Sequence, residues 1–221
     1  MVRDGIYYGL GFTAAGALVS YLANAWFALP LFLVGAFCMY FFRDPERLAP
    51  AGNVAVSPAD GKVVTVVAEN GKTRISIFLN IFDVHVNRMP ISGVISEVTY
   101  SKGKFLVASL EAASVQNEQN TVVVQGDDTT VVFKQIAGLI ARRIVFTRKL
   151  GEYVRAGDRV GLIKFGSRVD VIFGPEWHVE VSPGTRVSAG SSILARRGDR
   201  AEIIKVKAAP LQVEEGLLCQ T

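Results

Sequence analysis

The sequence predicts a mainly β fold of the α+β class: a small pseudo-symmetric β-barrel or sandwich preceded by an apolar helical membrane hairpin. Residues 5–42 carry no charged side chain. After them, short valine-rich runs alternate with turn residues, which is typical of strands joined by tight turns. The pattern Gly-x-x-Val-x-Ala-Gly occurs at 151–157 and again at 184–190, which indicates an internal repeat. We therefore divide the chain into a membrane-anchoring segment, 1–47, and a β domain, 48–221.

Composition narrows the classes of protein to which this chain can belong. Half of the 221 residues are hydrophobic and the mean hydropathy is +0.31, which favours contact with a membrane. The net charge of +4 is modest and suits an anionic bilayer surface. The sequence contains no basic block with interleaved aromatic residues, so nucleic-acid binding is not expected. Cys38 and Cys219 stand far apart, so neither a disulfide framework nor a metal site is expected.

The uncharged N-terminal run is long enough for two helices. A membrane-crossing helix needs about 20 apolar residues, and a natural break near Asn24 predicts helices over 5–23 and 25–42. Arginines flank both ends of the run, whereas the turn between the helices holds no Lys or Arg. The positive-inside bias therefore places both ends and the following domain on the cytoplasmic side of the cell membrane.

The rest of the chain is predicted to form strands. They are expected over 54–67 with a tight reversal at Pro58-Ala59-Asp60-Gly61, over 74–82, over 121–124 and 129–133 as a hairpin around Gly126-Asp127-Asp128, and over 141–147, with a short helix within 106–115. The repeated pattern predicts two strand–turn–strand units. Such units resemble the turn-rich folds that hold biotin or lipoyl groups, a likeness that concerns the fold alone.

Gly166-Ser167 is a candidate site of self-cleavage. A serine hydroxyl helped by a base can attack the preceding carbonyl, and glycine leaves that approach open. Elimination from the resulting ester breaks the chain, releases ammonia and leaves a pyruvoyl group. The alternatives are Gly190-Ser191, which the repeated turn already explains, and the weaker Gly184-Thr185. Because Gly166-Ser167 interrupts a strand-like apolar run and belongs to no repeat, we predict Ser167 as the nucleophile.

Such a serine needs a base, and the sequence holds two histidines. His85 ends a strongly apolar run and is the preferred candidate, while His178 is its competitor. A base is usually held in one tautomer by a carboxylate. Asp60 is the first candidate for that carboxylate, and Asp83 and Asp170 remain alternatives.

Five motifs occur in an order that matches a known family. They are Phe-Phe-Arg-Asp-Pro-Glu-Arg at 41–47, Ser-Pro-Ala-Asp-Gly-Lys-Val at 57–63, Ile-Phe-Asp-Val-His-Val-Asn-Arg at 81–88, Gln-Asn-Glu-Gln-Asn at 116–120 and Phe-Gly-Ser at 165–167. Each motif alone is weak, but five in register are specific. From about residue 41 to 180 the chain resembles the short form of the phosphatidylserine decarboxylase family, which is made as a proenzyme.

The resemblance implies cleavage between Gly166 and Ser167 into a β chain, 1–166, and an α chain, 167–221, with Ser167 converted to the pyruvoyl cofactor. Asp60 matches the aspartate of the family's Asp-His-Ser self-processing triad. Longer members carry two histidines three residues apart, and here Arg88 occupies the second position. The resemblance therefore leaves open which step His85 serves.

The implied activity is decarboxylation of phosphatidylserine to phosphatidylethanolamine and carbon dioxide, with the pyruvoyl group as electron sink and no metal. Arg88, Asn117 and Glu118 are expected near the substrate. The resemblance implies that the protein contacts the lipid substrate and the membrane, and that the two chains cut from one precursor stay together. A homodimer is also compatible with the resemblance. One alternative is a decarboxylase of another serine-headgroup lipid, such as archaetidylserine. The other is a biotinyl- or lipoyl-like carrier, which needs a lysine that neither repeated turn holds.

Overall fold

A computed structural model describes residues 2–106, 108, 112–138, 143–164 and 167–198. Within these residues a helical pair precedes a body of strands, so the predicted mainly β class is confirmed. The helices are α1 (Arg3–Leu22), α2 (Ala25–Phe41) and α3 (Ala113–Gln116). The strands are β1 (Val54–Val56), β2 (Gly61–Glu69), β3 (Lys72–Leu79), β4 (Val86–Arg88), β5 (Gly93–Ser101), β6 (Gln119–Gly126), β7 (Thr129–Ala137), β8 (Ile144–Phe146), β9 (Tyr153–Val154), β10 (Arg159–Ile163), β11 (Ser167–Phe173), β12 (Trp177–Val179), β13 (Arg186–Val187) and β14 (Ile193–Arg197).

The strands form three antiparallel sheets among the described residues. The largest has the order β13-β2-β3-β11-β7-β6-β5-β9, and the smaller two have the orders β1-β14-β12 and β4-β10-β8. Strand β11 therefore lies near the centre of the large sheet, between β3 and β7. Strand β10, which precedes β11 in the chain, pairs instead with β4 and β8.

One face of the large sheet supports the main hydrophobic core, and we call it the inner face. Ile75 and Ile77 of β3 and Val169 and Val171 of β11 are fully buried there. Residues directly opposite each other in an antiparallel pair lie on the same face, and alternate residues lie on opposite faces. The register of β11 therefore assigns each of its residues to the inner or the outer face.

The two copies of the repeated pattern make equivalent contacts. In the first copy the Gly157 amide donates to the Met89 carbonyl (2.8 Å) and the Ala156 amide to the Ser92 hydroxyl (3.0 Å); in the second the Gly190 amide donates to the Ser57 carbonyl (2.7 Å) and the Ala189 amide to the Asp60 carboxylate (2.8 Å). Gly157 and Gly190 have φ of +85° and +75°, a region that favours glycine. The predicted strand–turn–strand repeat is confirmed.

The reversal predicted at Pro58–Gly61 is wrong as a hairpin. Strand β1 pairs with β14, whereas β2 pairs with β3 and β13, so the turn passes the chain from one sheet to another. The physical reason is that the backbone around the turn bonds to distant segments: the Ser57 amide donates to Ser192 O, and Pro58 O accepts from Arg88 N.

The remaining element predictions are confirmed with changed bounds. The hairpin around Gly126 is longer than predicted, because β6 and β7 pair from Gln119 to Gly126. The strand predicted over 141–147 is observed as β8, and residues 141–142 lie outside the described residues. The helix predicted within 106–115 is observed as the short α3, which begins at Ala113; residues 107 and 109–111 are not described.

The predicted helical pair is present, with its break at the predicted place. The Asn24 side chain accepts a hydrogen bond from the Trp26 amide at 3.1 Å and so caps α2. Gly9 and Gly35 are buried where α1 and α2 pack, and an added Cβ on Gly35 would meet Thr13 Oγ1 at 3.2 Å. The prediction that each helix crosses the bilayer is not supported, since none of the described helices is long and apolar enough to do so. Helix α2 has 17 residues, about 26 Å at 1.5 Å per residue.

Candidate active site

Ser167 is the first residue of β11 and lies on the inner face of the large sheet. It stands opposite Leu79 of β3 and Ala137 of β7, so its backbone is held from both sides. The residue is fully buried, and its Oγ has no hydrogen-bond partner. A buried hydroxyl without a partner carries an energetic cost, which keeps Ser167 a candidate functional residue. Its neighbour Gly166 lies outside the described residues.

His85 stands at the end of a loop that connects β3 to β4. Its Nδ1 lies 2.9 Å from the carbonyl oxygen of Asp83, so Nδ1–H donates and Nε2 carries the lone pair of the neutral ring. Nε2 is buried and has no partner. Burial lowers the pKa of His85 to about 4, and the nearby Asp83 only partly offsets this effect. The imidazole is therefore neutral, and able to accept a proton, at physiological pH.

The end of helix α2 covers this imidazole. The rings of Phe41 and His85 have centroids 4.2 Å apart. The loop backbone is fixed at Phe82, whose carbonyl accepts from the Arg43 guanidinium (2.7 Å) and the Tyr40 hydroxyl (3.3 Å). The end of the helical hairpin therefore contributes to the burial of the candidate base as well as to its position.

The chain that leads to Ser167 runs beside His85. Strand β10 ends at Ile163, and the Ile163 amide lies 3.4 Å from the His85 carbonyl oxygen. The end of β10 is therefore hydrogen-bonded to the backbone of His85. His85 and Ser167 are each buried, and the expectation that they act on each other stays a prediction.

The Asp60 carboxylate makes no hydrogen bond to the imidazole in this structure, so its predicted part in the triad stays a prediction that this geometry does not favour. Its two carboxylate oxygens accept from the Arg47 guanidinium at 2.5 and 2.8 Å, and one also accepts from the Ala189 amide. Because Arg47 occupies both oxygens, the main-chain carbonyl of Asp83 takes over the task of fixing the tautomer of His85. Asp60 acts on His85 only through its charge, which is the weakest of the influences that raise the pKa.

The three residues expected near the substrate differ in position. The Arg88 guanidinium is buried and bonds to the Asp44 carboxylate at 3.0 Å and to the carbonyls of Pro45 and Gly157. This guanidinium is thus committed to the protein and is not open to a ligand. Its substrate-binding role stays a prediction that this geometry does not favour.

Asn117 and Glu118 directly precede β6, which is separated from β11 by β7. The buried Asn117 amide donates to the carbonyls of Leu106 (2.9 Å) and Ala137 (2.7 Å), so it fixes the residue that stands opposite Ser167. The Glu118 carboxylate accepts from the Tyr100 hydroxyl, which raises the pKa of Tyr100 to about 12. Asn117 therefore supports the backbone of Ala137, and Glu118 bonds to Tyr100.

The alternatives considered for nucleophile and base lie elsewhere. Ser191 belongs to the repeated turn, where its hydroxyl lies 3.5 Å from the Ser188 carbonyl. His178 is exposed on β12, opposite Arg196. Asp170 lies on the outer face, where it pairs with the buried Arg168 at 2.7 Å and accepts from Ser114 at 2.5 Å. In the part of the chain that the structure describes, no cluster of side chains could hold a metal ion.

Sequence reasoning missed the contacts of two sets of residues. One is the segment 43–47, which entered it only within a family motif and the membrane-anchoring segment, and which joins the hairpin to the β domain through Arg43, Asp44 and Arg47. The other is a row of buried amides on the inner face that includes Asn87. A signal for Asn87 exists, because it stands two residues after His85 in an extended segment.

Comparisons with known proteins agree with this geometry. A family model described as phosphatidylserine decarboxylase matches residues 34–195. A protein of Solibacter usitatus named phosphatidylserine decarboxylase proenzyme is 66% identical over 200 residues, covering 90% of this chain and 98% of the relative. Proteins with the same name from Solidesulfovibrio magneticus (44% identity; 90% of this chain, 97% of the relative) and Cupriavidus taiwanensis (42%; 88% and 94%) are also similar.

The buried His85 predicts that stability falls as the pH falls from about 6.5 to about 4. Its pKa is about 4 when folded and 6.5 when unfolded, so between these values the unfolded chain binds the extra proton. Each pH unit in this window costs about 1.4 kcal/mol. Between pH 7 and 4.5, the Ser167→Ala chain should lose about 2–3 kcal/mol more unfolding free energy in urea than Ser167→Ala/His85→Gln. The exposed His178→Gln serves as control, and parallel pH profiles for the His85 pair would refute the assignment.

The Arg47–Asp60 pair predicts a coupled loss of stability. Arg47→Met and Asp60→Asn should each destabilise the Ser167→Ala chain, and the double variant should lose less than their sum by about 1–3 kcal/mol, because each single change leaves a largely buried partner unpaired. Urea unfolding of the four proteins measures this coupling. Additive losses would show that the two side chains act independently.

Proposed function

The chain belongs to the phosphatidylserine decarboxylase family, and from this premise we propose that it decarboxylates phosphatidylserine to phosphatidylethanolamine after cutting itself between Gly166 and Ser167. It is therefore a carboxy-lyase made as a proenzyme. The relatives are named for phosphatidylserine, which favours this substrate over other serine-headgroup lipids. The pieces would be a β chain, 1–166, and an α chain, 167–221.

One observation carries the proposal: two complementary reactive atoms are each buried without a hydrogen-bond partner. Ser167 Oγ is a nucleophile that lacks a hydrogen-bond acceptor, and His85 Nε2 is an acceptor that lacks a donor. Each unpaired polar atom costs roughly 1–3 kcal/mol of stability. A fold retains such groups where the chemistry requires them, and a proton transfer from Ser167 to His85 is the first step of self-cleavage.

The residues present fit a pyruvoyl group formed from Ser167. That group supplies an electron sink for loss of carbon dioxide from an amine-bearing substrate. His85, neutral at physiological pH, is suited both to take the proton from Ser167 during cleavage and to move a proton during decarboxylation. Since Arg88 replaces the second histidine and its guanidinium is bonded to Asp44, we assign both steps to His85.

The two pieces would remain one fold after the cut. Strand β11 belongs to the α chain, while its neighbours β3 and β7 belong to the β chain. Seven residues of β11 are in register with β3 and six with β7. Residue 167 therefore keeps its place opposite Leu79 and Ala137 even when the peptide bond before it is broken.

We place the enzyme on the cytoplasmic side of the cell membrane, with the helical hairpin in the bilayer surface. Large apolar side chains cover the hairpin and are exposed, among them Tyr21 (87%), Trp26 (78%) and Phe27 (72%) at its tip. Aromatic side chains favour the interface between lipid and water. Phe82, 62% exposed, lies on the loop that carries His85, so the same surface would bring a lipid headgroup to the base.

Ser167→Ala should yield one uncut chain of 221 residues without decarboxylase activity, because the nucleophile and the source of the pyruvoyl group are both lost. Intact-mass measurement decides this directly. Ser191→Ala, in the repeated turn, is the matched control and should give the same two pieces as the unmodified protein. Two pieces from Ser167→Ala would contradict the cleavage site.

Replacing the aromatic residues at the hairpin tip should weaken membrane binding. We expect the Tyr21→Gln/Trp26→Gln/Phe27→Gln chain to bind vesicles of phosphatidylglycerol and phosphatidylethanolamine about 10-fold or more less tightly, since burial of each ring contributes roughly 1.5–3 kcal/mol. Flotation through a sucrose gradient measures the bound fraction. Leu150→Gln/Tyr153→Gln, which changes exposed apolar residues of the β domain, is the control. Equal flotation of all three proteins would remove the hairpin from the membrane contact.

A further inference from the structure

The open end of the helical hairpin, formed by the first turn of α1 and the last turn of α2, packs against β10, the strand that precedes β11 in the chain. Phe41 and Phe42 form a buried hydrophobic cluster with Leu162 of β10. The two helices are joined closely at this end, since the Val2 amide donates to the Phe42 carbonyl at 3.1 Å and a Cβ added to Gly5 would clash with Phe42. The hairpin is therefore attached to the β domain at the strand that leads into β11.

An ion pair reinforces this attachment at the end of β10. Lys164 follows β10 directly, and its Nζ lies 2.7 Å from the carboxylate of Asp4 in the first turn of α1. The Lys164 side chain is 12% exposed, and its ammonium lies 5.8 Å from the ring centroid of Tyr8 and 5.7 Å from that of Phe42, both within the range of a cation–π contact. Among the described residues, this is the one ion pair between α1 and the β domain.

The main chain at Lys164 is fixed as well. Its amide donates to the Arg143 carbonyl at 3.2 Å, and the amide of the preceding Ile163 lies 3.4 Å from the His85 carbonyl oxygen. Lys164 is thus held through its backbone by the β domain and through its side chain by the hairpin. Because Phe41 also lies against the His85 ring, the open end of the hairpin contacts both the candidate base and the chain that leads to the candidate nucleophile.

The chain is fixed again at Ser167. Three peptide bonds join Lys164 to Ser167, so their Cα atoms are at most about 11 Å apart. Ser167 itself is paired with Leu79 on one side and with Ala137 on the other. The predicted cleavage site therefore belongs to a short segment that is restrained at both ends. Such restraint lowers the conformational entropy that the segment loses when it adopts the one geometry that intramolecular attack requires.

We propose that Asp4 and Lys164 are positioning residues for self-cleavage, whose ion pair restrains the chain that enters the cleavage site and makes a docked hairpin a condition for rapid cutting. The inference rests on the proposed cleavage at Gly166-Ser167 and gives the hairpin a role in maturation besides membrane binding. Neither side chain takes up a proton or forms a covalent bond in the reaction.

The cleavage that the pair serves needs water as its only co-reactant. Ser167 Oγ bonds to the preceding carbonyl carbon, the C–N bond breaks, and the nitrogen receives the proton that the hydroxyl gives up, which leaves an ester. Loss of the Ser167 α-proton then releases the carboxylate of the first piece and leaves an enamine. Tautomerisation and hydrolysis of the enamine give the pyruvoyl group and ammonia.

The ion pair can act on residue 167 through the chain only before the cut. Afterwards Lys164 belongs to the β chain and residue 167 to the α chain, where its pairing with β3 and β7 holds it in place. The pair should therefore control the rate of cleavage and leave the turnover of each mature site unchanged. A contact that served only to keep the protein folded would lower both in proportion to the folded protein lost.

The test follows the conversion of freshly synthesised precursor into its two pieces by intact mass. Asp4→Asn and Lys164→Gln should each cut about 10–100-fold more slowly than the unmodified chain, because misplacement of reacting groups is costly. The double variant should cut no more slowly than the slower single variant, since both changes break one contact. Asp4→Glu, which keeps the charge, should retain most of the rate. Glu180→Gln, which breaks the exposed Arg196–Glu180 pair of the same 2.7 Å length, is the matched control and should cut at the unmodified rate.

Two further measurements separate positioning from a loss of structure. Urea unfolding of the same changes in Ser167→Ala chains establishes that each variant folds. Decarboxylation of phosphatidylserine, measured per pyruvoyl group in the fraction that has cut, should equal that of the unmodified enzyme for Asp4→Asn and Lys164→Gln.

Unmodified cleavage rates of both single variants would overturn the proposal, and so would a turnover per pyruvoyl group that falls as far as the cleavage rate. Either result would leave the decarboxylase function intact. Failure of the unmodified chain to cut would instead overturn the function on which the proposal rests.

Discussion

The site depends on an imidazole that is kept out of water by an aromatic ring. Phe41, the last residue of α2, lies against His85, and burial is the main cause of the low pKa of the imidazole. A neutral base in a buried region is what proton transfer from an alcohol requires. The hairpin is thus more than an appendage, because its last turn packs against the imidazole and the loop that carries it.

Arginines that bind backbone and carboxylates keep this arrangement in place. Arg43 holds the loop before His85, Arg47 holds the turn that contains Asp60, and Arg88 holds Asp44 from the other side. The charged side chains of the segment 43–47 therefore bond to other groups of the protein. This explains why the family motif in this segment is rich in charge although none of its side chains reaches Ser167 or His85 by a hydrogen bond among the described contacts.

The sequence predicted what depends on local pattern, and it failed where long-range contacts decide. The break at Asn24, the hairpin at Gly126 and the repeat that ends in Gly157 and Gly190 follow from turn chemistry, and all are confirmed. The chemistry of a Gly-Ser pair pointed to Ser167 without any structure. The role of Asp60 stays a prediction, and nothing in the sequence says that the Arg47 guanidinium bonds to both of its carboxylate oxygens. Asn87 was missed for a similar reason: its orientation is set by Gln135, which lies on a different sheet.

The position of β11 at the centre of the large sheet has a consequence for the lifetime of the enzyme. Before the cut, folding is a unimolecular event, and β11 is delivered to its neighbours by the loop that joins it to β10. After the cut, unfolding becomes dissociation, and recovery requires two polypeptides to meet, so its rate depends on concentration. When a cleaved molecule unfolds at low enzyme concentration, its two polypeptides seldom meet again, and reassembly is slow. Its durability is then governed by the rate of opening more than by an equilibrium.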